Sequence, residues 1–517
     1  MARPAQVTQP DGRVELVDSS AIAGSRFYNP ELAPVPIERR RWTTYNYFAL
    51  WMGMAHNIPS YTLASSLIIL GMNWVQAFLT ITLGNLIVLV PMLFNSHAGT
   101  KYGIPFPVFA RAFYGVRGAN LAALLRAFIA CAWFGIQTWV GGEALFVIIG
   151  KLAGDGWTGA GKIGDQPWTL WLCFALFWVV QMLIIWRGME AIRRFENWTA
   201  PLVSIGFLIL LIYVVVKAGG FGPILSEPSK LGWGSQFWTT FFPSLMAMIA
   251  FWSTLSLNMP DFTRFGGGQR QQVKGQILGL PTTMSFIAIV AILTTSGATA
   301  LYGDDDKLWD PAYLASKFSS PVLVVVALIA LVLATVSANL AANVVSPSYD
   351  FSNAFPRKIT FAVGGLITGV IGVLIQPWRL ISDPGVYIFT WLGFYGGVLA
   401  AIAGVLIAGY WSVLRTRLNL ADLYKDGGGA YWFKGGWNWR AIVATVVGAV
   451  LGVGGAYGGP FPTGGLIPFL KPLYDFSWVV GLIAAFLVYL ALSISTKEEA
   501  TSAADSSSRL GAAAVDG

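Results

Sequence analysis

Residues 47–72 read YFALWMGMAHNIPSYTLASSLIILGM, a run long enough to cross the hydrocarbon core of a bilayer as a helix. Pro59 stands in its middle. Proline has no backbone N–H and its ring clashes with the carbonyl four residues back, so the run predicts a helix that breaks or kinks between Ala55 and Ile58. His56 and Asn57 fall at that break. Backbone groups released at mid-membrane depth are tolerated only where protein or a polar cavity surrounds them. A discontinuous helix with a polar residue at its interruption is one way to build a binding site at the midplane. A plain kink, with Asn57 satisfying the loosened backbone, is the alternative.

Similar apolar runs recur along the 517 residues, at roughly 44–70, 74–95, 119–150, 167–187, 197–217, 237–258, 277–301, 320–345, 359–377, 387–414, 439–458 and 475–495, about twelve spans in all. The composition agrees: 55% of residues are hydrophobic and 11% charged, against about 25% charged in soluble domains, and the mean hydropathy is +0.62. The fold class is therefore an all-α polytopic membrane protein. Continuous apolar runs do not suit a β-barrel, whose strands are short and alternate. No cleavable signal peptide is expected, because about the first 42 residues are polar and lack an apolar core segment. Cys131 and Cys173 both fall in apolar runs and read as small buried residues, not as a disulfide or a metal pair. The net charge of +8 calls for no nucleic-acid partner, since cytoplasmic loops collect Lys and Arg. Such residues precede the first span as Arg39, Arg40 and Arg41. They recur in alternate loops: Lys101, Arg111, Arg117 and Arg126; Arg187, Arg193 and Arg194; Arg264, Arg270 and Lys274; Arg357 and Lys358; Arg415, Arg417, Lys425, Lys434 and Arg440. The opposite loops are nearly balanced, as in GDDDK at Gly303–Lys307. Both termini are expected on the cytoplasmic side of a cell membrane.

Three further stretches carry polar chemistry inside apolar helices. Residues 131–143, CAWFGIQTWVGGE, place Trp133 and Gln137 four apart on one helical face, an indole plane beside an amide that both donates and accepts. Packing is the competing reading for these aromatics. The sixth run holds Trp252 followed by Ser253, Thr254, Ser256 and Asn258. In the eighth, Asn339, Asn343 and Ser346 make one polar stripe at i, i+4 and i+7. Ligand binding is the preferred reading of Asn343, and helix–helix hydrogen bonding weighs equally for Asn339. Glu143 reads as the carboxylate well inside a span, either a proton carrier or a structural acid lining an outer vestibule. His97 is assigned to a loop and no role.

These residues lie in stretches that together resemble the nucleobase–cation symporter 1 family over nearly the whole chain: MAHNIPSYTLAS (54–65), GVRGAN (115–120), CAWFGIQTW (131–139), WRGMEAIRRFENW (186–198), NMPDFTRF (258–265) and SANLAANVVSPSYDFSN (337–353). The resembling branch is that of allantoin, uracil and hydantoin permeases, with bacterial allantoin permeases nearest. The resemblance implies a leucine-transporter-type fold. A cytoplasmic segment (1–42) would precede two inverted five-helix repeats (43–218 and 219–414), two extra helices (415–496) and a disordered cytoplasmic tail (497–517). It implies alternating access and no cofactor. By the same resemblance, Trp133 and Gln137 stack on and hydrogen-bond a heterocycle, Trp252 lies at an unwound sixth helix, and Asn343 and Asn57 complete the site. Asn339 joins these candidates through its stripe with Asn343.

The resemblance also implies a sodium site built from carbonyls of Gly53, His56 and Ala334 and the hydroxyl of Ser337. The next position is Ala338, which offers no oxygen, and a hard cation wants a full oxygen shell. The expectation is proton coupling or a weakened Na⁺ site, with His56 or Glu143 as candidate carriers. The resulting reading is a symporter, embedded in the lipid bilayer, that imports a small neutral planar heterocycle with H⁺ or Na⁺. A Na⁺-coupled permease for cytosine, purine or thiamine is the nearest alternative. A membrane-embedded enzyme on a lipid or prenyl substrate predicts clustered His, Asp or Glu, whereas the spans offer scattered His56 and Glu143. A channel predicts flux insensitive to ion gradients.

Overall fold

The computed structural model describes residues 5–187, 205–381, 383 and 385–493. The first apolar run forms α1 (Thr44–Ala55) and α2 (Ile58–Ile69), parted at His56 and Asn57, where Pro59 forbids a continuous ladder. There follow α3 (Trp74–Tyr102), α4 (Phe106–Tyr114), α5 (Ala119–Ala153) and α6 (Trp168–Trp186). The fifth run is represented by α7 (Ile205–Lys217). Arg193, Arg194 and most of the 186–198 motif lie outside the described residues, as does the tail beyond Ser493. The sixth run is again two pieces, α8 (Ser235–Phe251) and α9 (Ser253–Asn258). The rest of the membrane region comprises α10 (Gln269–Tyr302), α11 (Pro321–Asn343), α12 (Val345–Ala354), α13 (Phe361–Leu374), α14 (Val386–Val413), α15 (Trp439–Val453) and α16 (Ser477–Ser493).

Within the described residues, every expected span coincides with one of these helices or an interrupted pair. Among the described residues, six helices are continuous and apolar enough to cross a membrane alone. The others are the two broken runs and shorter apolar helices, whose ends are completed by caps and loops. The helices sort into three packed groups: α5, α6, α11, α12 and α13; α1, α2, α3, α8, α9 and α10; and α14, α15 and α16. Where the first two groups meet, α11 lies against α1 and α9 against α5.

Small residues permit the close crossings. A Cβ on Gly142 of α5 would come within 2.8 Å of the Phe174 Cα in α6, and one on Gly372 of α13 within 2.9 Å of the Cys131 carbonyl oxygen. Gly135, facing Gly372, has no more room. The glycine pair Gly141–Gly142 thus serves helix packing, with Gly141 seated under the Phe177 ring. Cys131 and Cys173 are buried free thiols.

Several charged residues assigned to loops lie elsewhere. Arg126 is on α5, fully buried, 3.5 Å from the equally buried Asp350 of α12. Arg111, on α4, is buried too, donating to Asn353 Oδ1 at 2.7 Å and to the Leu423 carbonyl at 3.1 Å. Glu143 is accordingly not alone among carboxylates inside the helical body: Asp350 and Asp261 are also buried. Hydropathy alone cannot distinguish a buried, paired arginine from a solvated one. His97 lies within α3, not in a loop, with Nδ1 2.9 Å from the Tyr410 hydroxyl. The helix runs on past residue 95 because polar Ser96 and Thr100 face Thr263 instead of water: Thr263 donates to the Ser96 carbonyl at 2.9 Å and Thr100 to the Thr263 carbonyl at 3.0 Å.

Residues 5–42 cover one end of the helical body. β1 (Gln6–Thr8) pairs antiparallel with β2 (Val14–Leu16). Beyond it, buried Arg40 donates to the Val35 carbonyl at 2.6 Å and the Tyr102 carbonyl at 3.2 Å, Arg264 donates to the Glu31 carbonyl at 3.0 Å, and the Tyr424 hydroxyl donates to the Leu32 carbonyl at 2.7 Å.

The α5–α13 crossing has a direct test. Gly135→Val should destabilise the detergent-purified protein by about 1–3 kcal/mol, the usual cost of overpacking. Gly156→Ala, where an added Cβ meets nothing within 4 Å, should leave thermal unfolding unchanged.

Candidate functional site

The interruption of the first run is closed by Asn57. Its Oδ1 accepts the Ser60 N–H at 2.8 Å, and its Nδ2 donates to the Met54 carbonyl at 2.5 Å, so one side chain caps both helix ends facing the gap. The backbone amides of His56 and Asn57 go to the carbonyls of Met52 and Ala55, so neither takes the Gly53 carbonyl. The Tyr387 hydroxyl of α14 reaches the Pro59 carbonyl at 3.5 Å.

Trp252 occupies the interruption between α8 and α9, with φ −101° and ψ 8°. Neither proline nor glycine is responsible. Tertiary contacts hold the break open: the Tyr395 hydroxyl of α14 donates to the Ala250 carbonyl at 2.8 Å, and the Trp478 indole of α16 donates to Ser253 Oγ at 2.7 Å. Tyr395 also accepts the Trp133 indole N–H at 3.1 Å, tying α5 to the broken helix.

Trp133 stands in an aromatic enclosure. Phe251 meets it edge-on, with centroids 5.1 Å apart at 79°, and Tyr387 and Trp391 each lie 6.2 Å away. Phe251 in turn meets Trp252 at 4.9 Å and 90°, and Trp252 meets Trp51 of α1 at 5.2 Å. The two indoles expected to flank a ring are therefore gathered at one place, with Phe251 in edge contact with both. Gln137 lies one turn along α5 from Trp133. Its Oε1 and the Trp252 Nε1 are buried without a hydrogen-bond partner, and each such group costs about 1–3 kcal/mol. Gln137 and Trp252 are only 4% and 3% exposed. Two unmet polar groups beside an indole make a place that a flat ring with N–H and C=O edges would complete.

The asparagines of α11 are arranged differently. Asn339 donates to the Phe134 carbonyl at 3.1 Å and to Gln181 Oε1 at 2.7 Å, so its amide joins α5, α6 and α11. Asn343 donates to Asn339 Oδ1 at 2.9 Å. Ser346, the third member of the expected stripe, lies beyond the turn at Val344 and pairs with Asn258.

A cavity of about 660 Å³ opens at the end of the molecule remote from residues 5–42, lined among others by Pro59, Thr62, Ile136, Glu143, Asp310 and Tyr387. Tyr387, one of its lining residues, meets Trp133 edge-on. Glu143 thus faces this vestibule, a turn and a half along α5 from Gln137, and the field of Asp310 acts on it. Burial pushes the Asp310 carboxyl, which caps the short helix Pro311–Ser316, up to about 6. Of the expected cation ligands, Gly53 and His56 flank the first break, and Ala334 and Ser337 lie on the helix packed against α1. Ala338 is fully buried there with no oxygen to give.

Sequence reasoning missed Phe251, Tyr387, Tyr395 and Gln181. Phe251 could have been flagged as Trp252's neighbour. The other three act from helices distant in sequence, and only the fold brings them in.

A family model described as permease for cytosine/purines, uracil, thiamine, allantoin matches residues 34–481. An allantoin permease of Bacillus subtilis is 40% identical over 476 residues, covering 90% of this chain and 93% of the relative. A purine-uracil permease of Arabidopsis thaliana is 39% identical over 430 residues, covering 82% and 70%. Among solved structures, a nucleobase-cation-symport-1 family transporter in a closed conformation with bromovinylhydantoin bound superposes with a TM-score of 0.72 at 26% identity, covering 90% of this chain and 95% of that one. The expected leucine-transporter-type fold is the fold found, and the chain belongs to this family of permeases for cytosine and purines, uracil, thiamine and allantoin.

Proposed function

We propose that this permease imports a small, uncharged, planar heterocycle of the allantoin, uracil or hydantoin kind, with allantoin foremost, across the cell membrane. The observation that carries the reading is the pairing of Trp133 with two buried, unmet polar atoms, Gln137 Oε1 and Trp252 Nε1. The ring would stack on Trp133 and pair with Gln137 and Asn343, and Phe251 would move aside to admit it next to Trp252. Neutral amides suit a neutral ligand, because a charged one would need a buried counter-charge. Asn57 contributes by holding the break open and Asn339 by orienting Asn343. The allantoin permease relative and the hydantoin-bound structural relative support this class. With both termini cytoplasmic, the vestibule above Tyr387 is the outer entrance, and residues 5–42 close the inner end. The protein acts as a carrier of unaltered substrate, not an enzyme.

The coupling ion we infer is the proton. The Gly53 carbonyl left aside by its helix, with those of His56 and Ala334 and the Ser337 hydroxyl, makes a partial oxygen shell, and Ala338 leaves it short of what Na⁺ prefers. The vestibule instead offers Glu143 and Asp310. A carboxyl pushed up to about 6 is mostly ionised at pH 7 and mostly protonated at pH 5, so acid outside would load it and alkaline conditions inside would release the proton.

Two tests follow from these assignments. Trp133→Ala should abolish uptake of labelled allantoin or uracil at unchanged membrane abundance, and Gln137→Ala should raise KM about 5- to 150-fold, the equivalent of 1–3 kcal/mol. Normal uptake by either variant refutes the site. In proteoliposomes, uptake should follow an imposed pH gradient and persist when Na⁺ is replaced by choline, and Asp310→Asn should flatten its rise between pH 7 and pH 5. A strict Na⁺ requirement overturns the coupling.

A further inference from the structure

The oxygen and nitrogen ends of a side-chain amide have nearly the same shape, so which end faces a ligand is decided by neighbours whose own role is not reversible. Asn343 has such neighbours. The Phe134 carbonyl can only accept, and it faces the Asn339 amide at 3.1 Å, which favours the NH₂ at that end; shared with the Thr138 hydroxyl at 2.7 Å, it does not by itself hold Asn339 in that sense. Gln181 supplies the decisive constraint. The Thr138 hydroxyl donates to the same Phe134 carbonyl at 2.7 Å, which leaves its lone pairs to accept from Gln181 Nε2 at 3.0 Å. Gln181 must therefore turn Oε1 toward Asn339 Nδ2, 2.7 Å away. Both lines orient Asn339 identically, with Oδ1 toward Asn343, whose NH₂ donates to it at 2.9 Å. Gln181, Thr138 and Asn339 are fully buried, so water cannot scramble the order.

We propose that this relay, running from the Phe134 carbonyl through Thr138, Gln181 and Asn339, is a polarity lock that presents the carbonyl oxygen of Asn343 to the substrate and so selects rings with an N–H at that edge. Gln181 and Thr138 are positioning residues, since they set specificity through Asn343 without touching the ligand. The inference rests on the reading that Asn343 borders the heterocycle site. It explains why α5 bears two adjacent pairs at helical spacing: Trp133 and Gln137 on the ligand side, Phe134 and Thr138 on the side of α11.

The test compares binding of uracil and hydantoin with that of their N,N′-dimethyl forms, which keep the carbonyls but have no N–H, on the full-length purified protein. The wild type should favour the parent rings at least about tenfold. Gln181→Met and Thr138→Val, both apolar and near-isosteric, should each shrink that ratio severalfold while kcat for uracil changes little. Gln181→Glu keeps an oxygen to accept from Asn339 and should restore the ratio. If the wild type binds parent and dimethyl rings equally, or Gln181→Met and Thr138→Val keep the full ratio, the lock is wrong although the site stands. If Asn343→Ala and Gln137→Ala bind both parent rings normally, the site reading itself has failed.

Discussion

In hydrocarbon a backbone N–H or C=O without a partner costs several kcal/mol, and this chain interrupts membrane helices at His56–Asn57 and at Trp252. Each gap is tolerated because particular side chains take over the work of the missing turn. At His56 and Asn57, a single amide serves both helix ends. At Trp252, the Tyr395 hydroxyl meets the Ala250 carbonyl and Ser253 is held by Trp478. The proposed binding region is where these substitutions cluster, because at each break polar groups lie at depth outside a continuous helical ladder. Aromatic rings fill the surrounding space, and their edge-on contacts connect α1, α5, α8 and α14.

Helix α5 carries the rest of the design. One stripe holds Trp133 and Gln137; the next holds Phe134 and Thr138, which anchor α6 and α11; Gly135 lets α13 approach, and Gly141 and Gly142 let α6 approach. The groups proposed to face the ligand are thereby placed by a rigid scaffold rather than by loops. Further along, the Arg126–Asp350 pair joins α5 to α12 inside the protein, where desolvation costs as much as attraction returns. Such a pair is better suited to fixing one arrangement of helices than to adding stability.

Much of this was legible in the sequence. Pro59 located the first break to within two residues, hydropathy located the membrane helices, and spacing put Trp133 and Gln137 on one face. The break at Trp252 was not legible from local chemistry, because it is imposed by Tyr395 and Trp478, some 145 and 225 positions away. For the same reason the sequence left Asn339 evenly balanced between ligand contact and helix–helix bonding; its partner Gln181 lies 158 positions away. Arg111, Arg126 and His97 were misplaced because charge pattern reports where polar residues occur, not what they face. The order in residues 5–42 was equally hidden, being set by carbonyls meeting arginines from distant helices.

The heterocycle is proposed to sit on Trp133, between the helix breaks at Asn57 and Trp252. The most direct measurement is a high-resolution structure of the protein with a bound heterocycle. The ring is expected to stack about 3.5–4 Å from the Trp133 plane, with Gln137 and the Asn343 carbonyl oxygen on its edge and Phe251 displaced. A ring resting in the vestibule beside Glu143 and Asp310, with Phe251 still against both indoles, would contradict it.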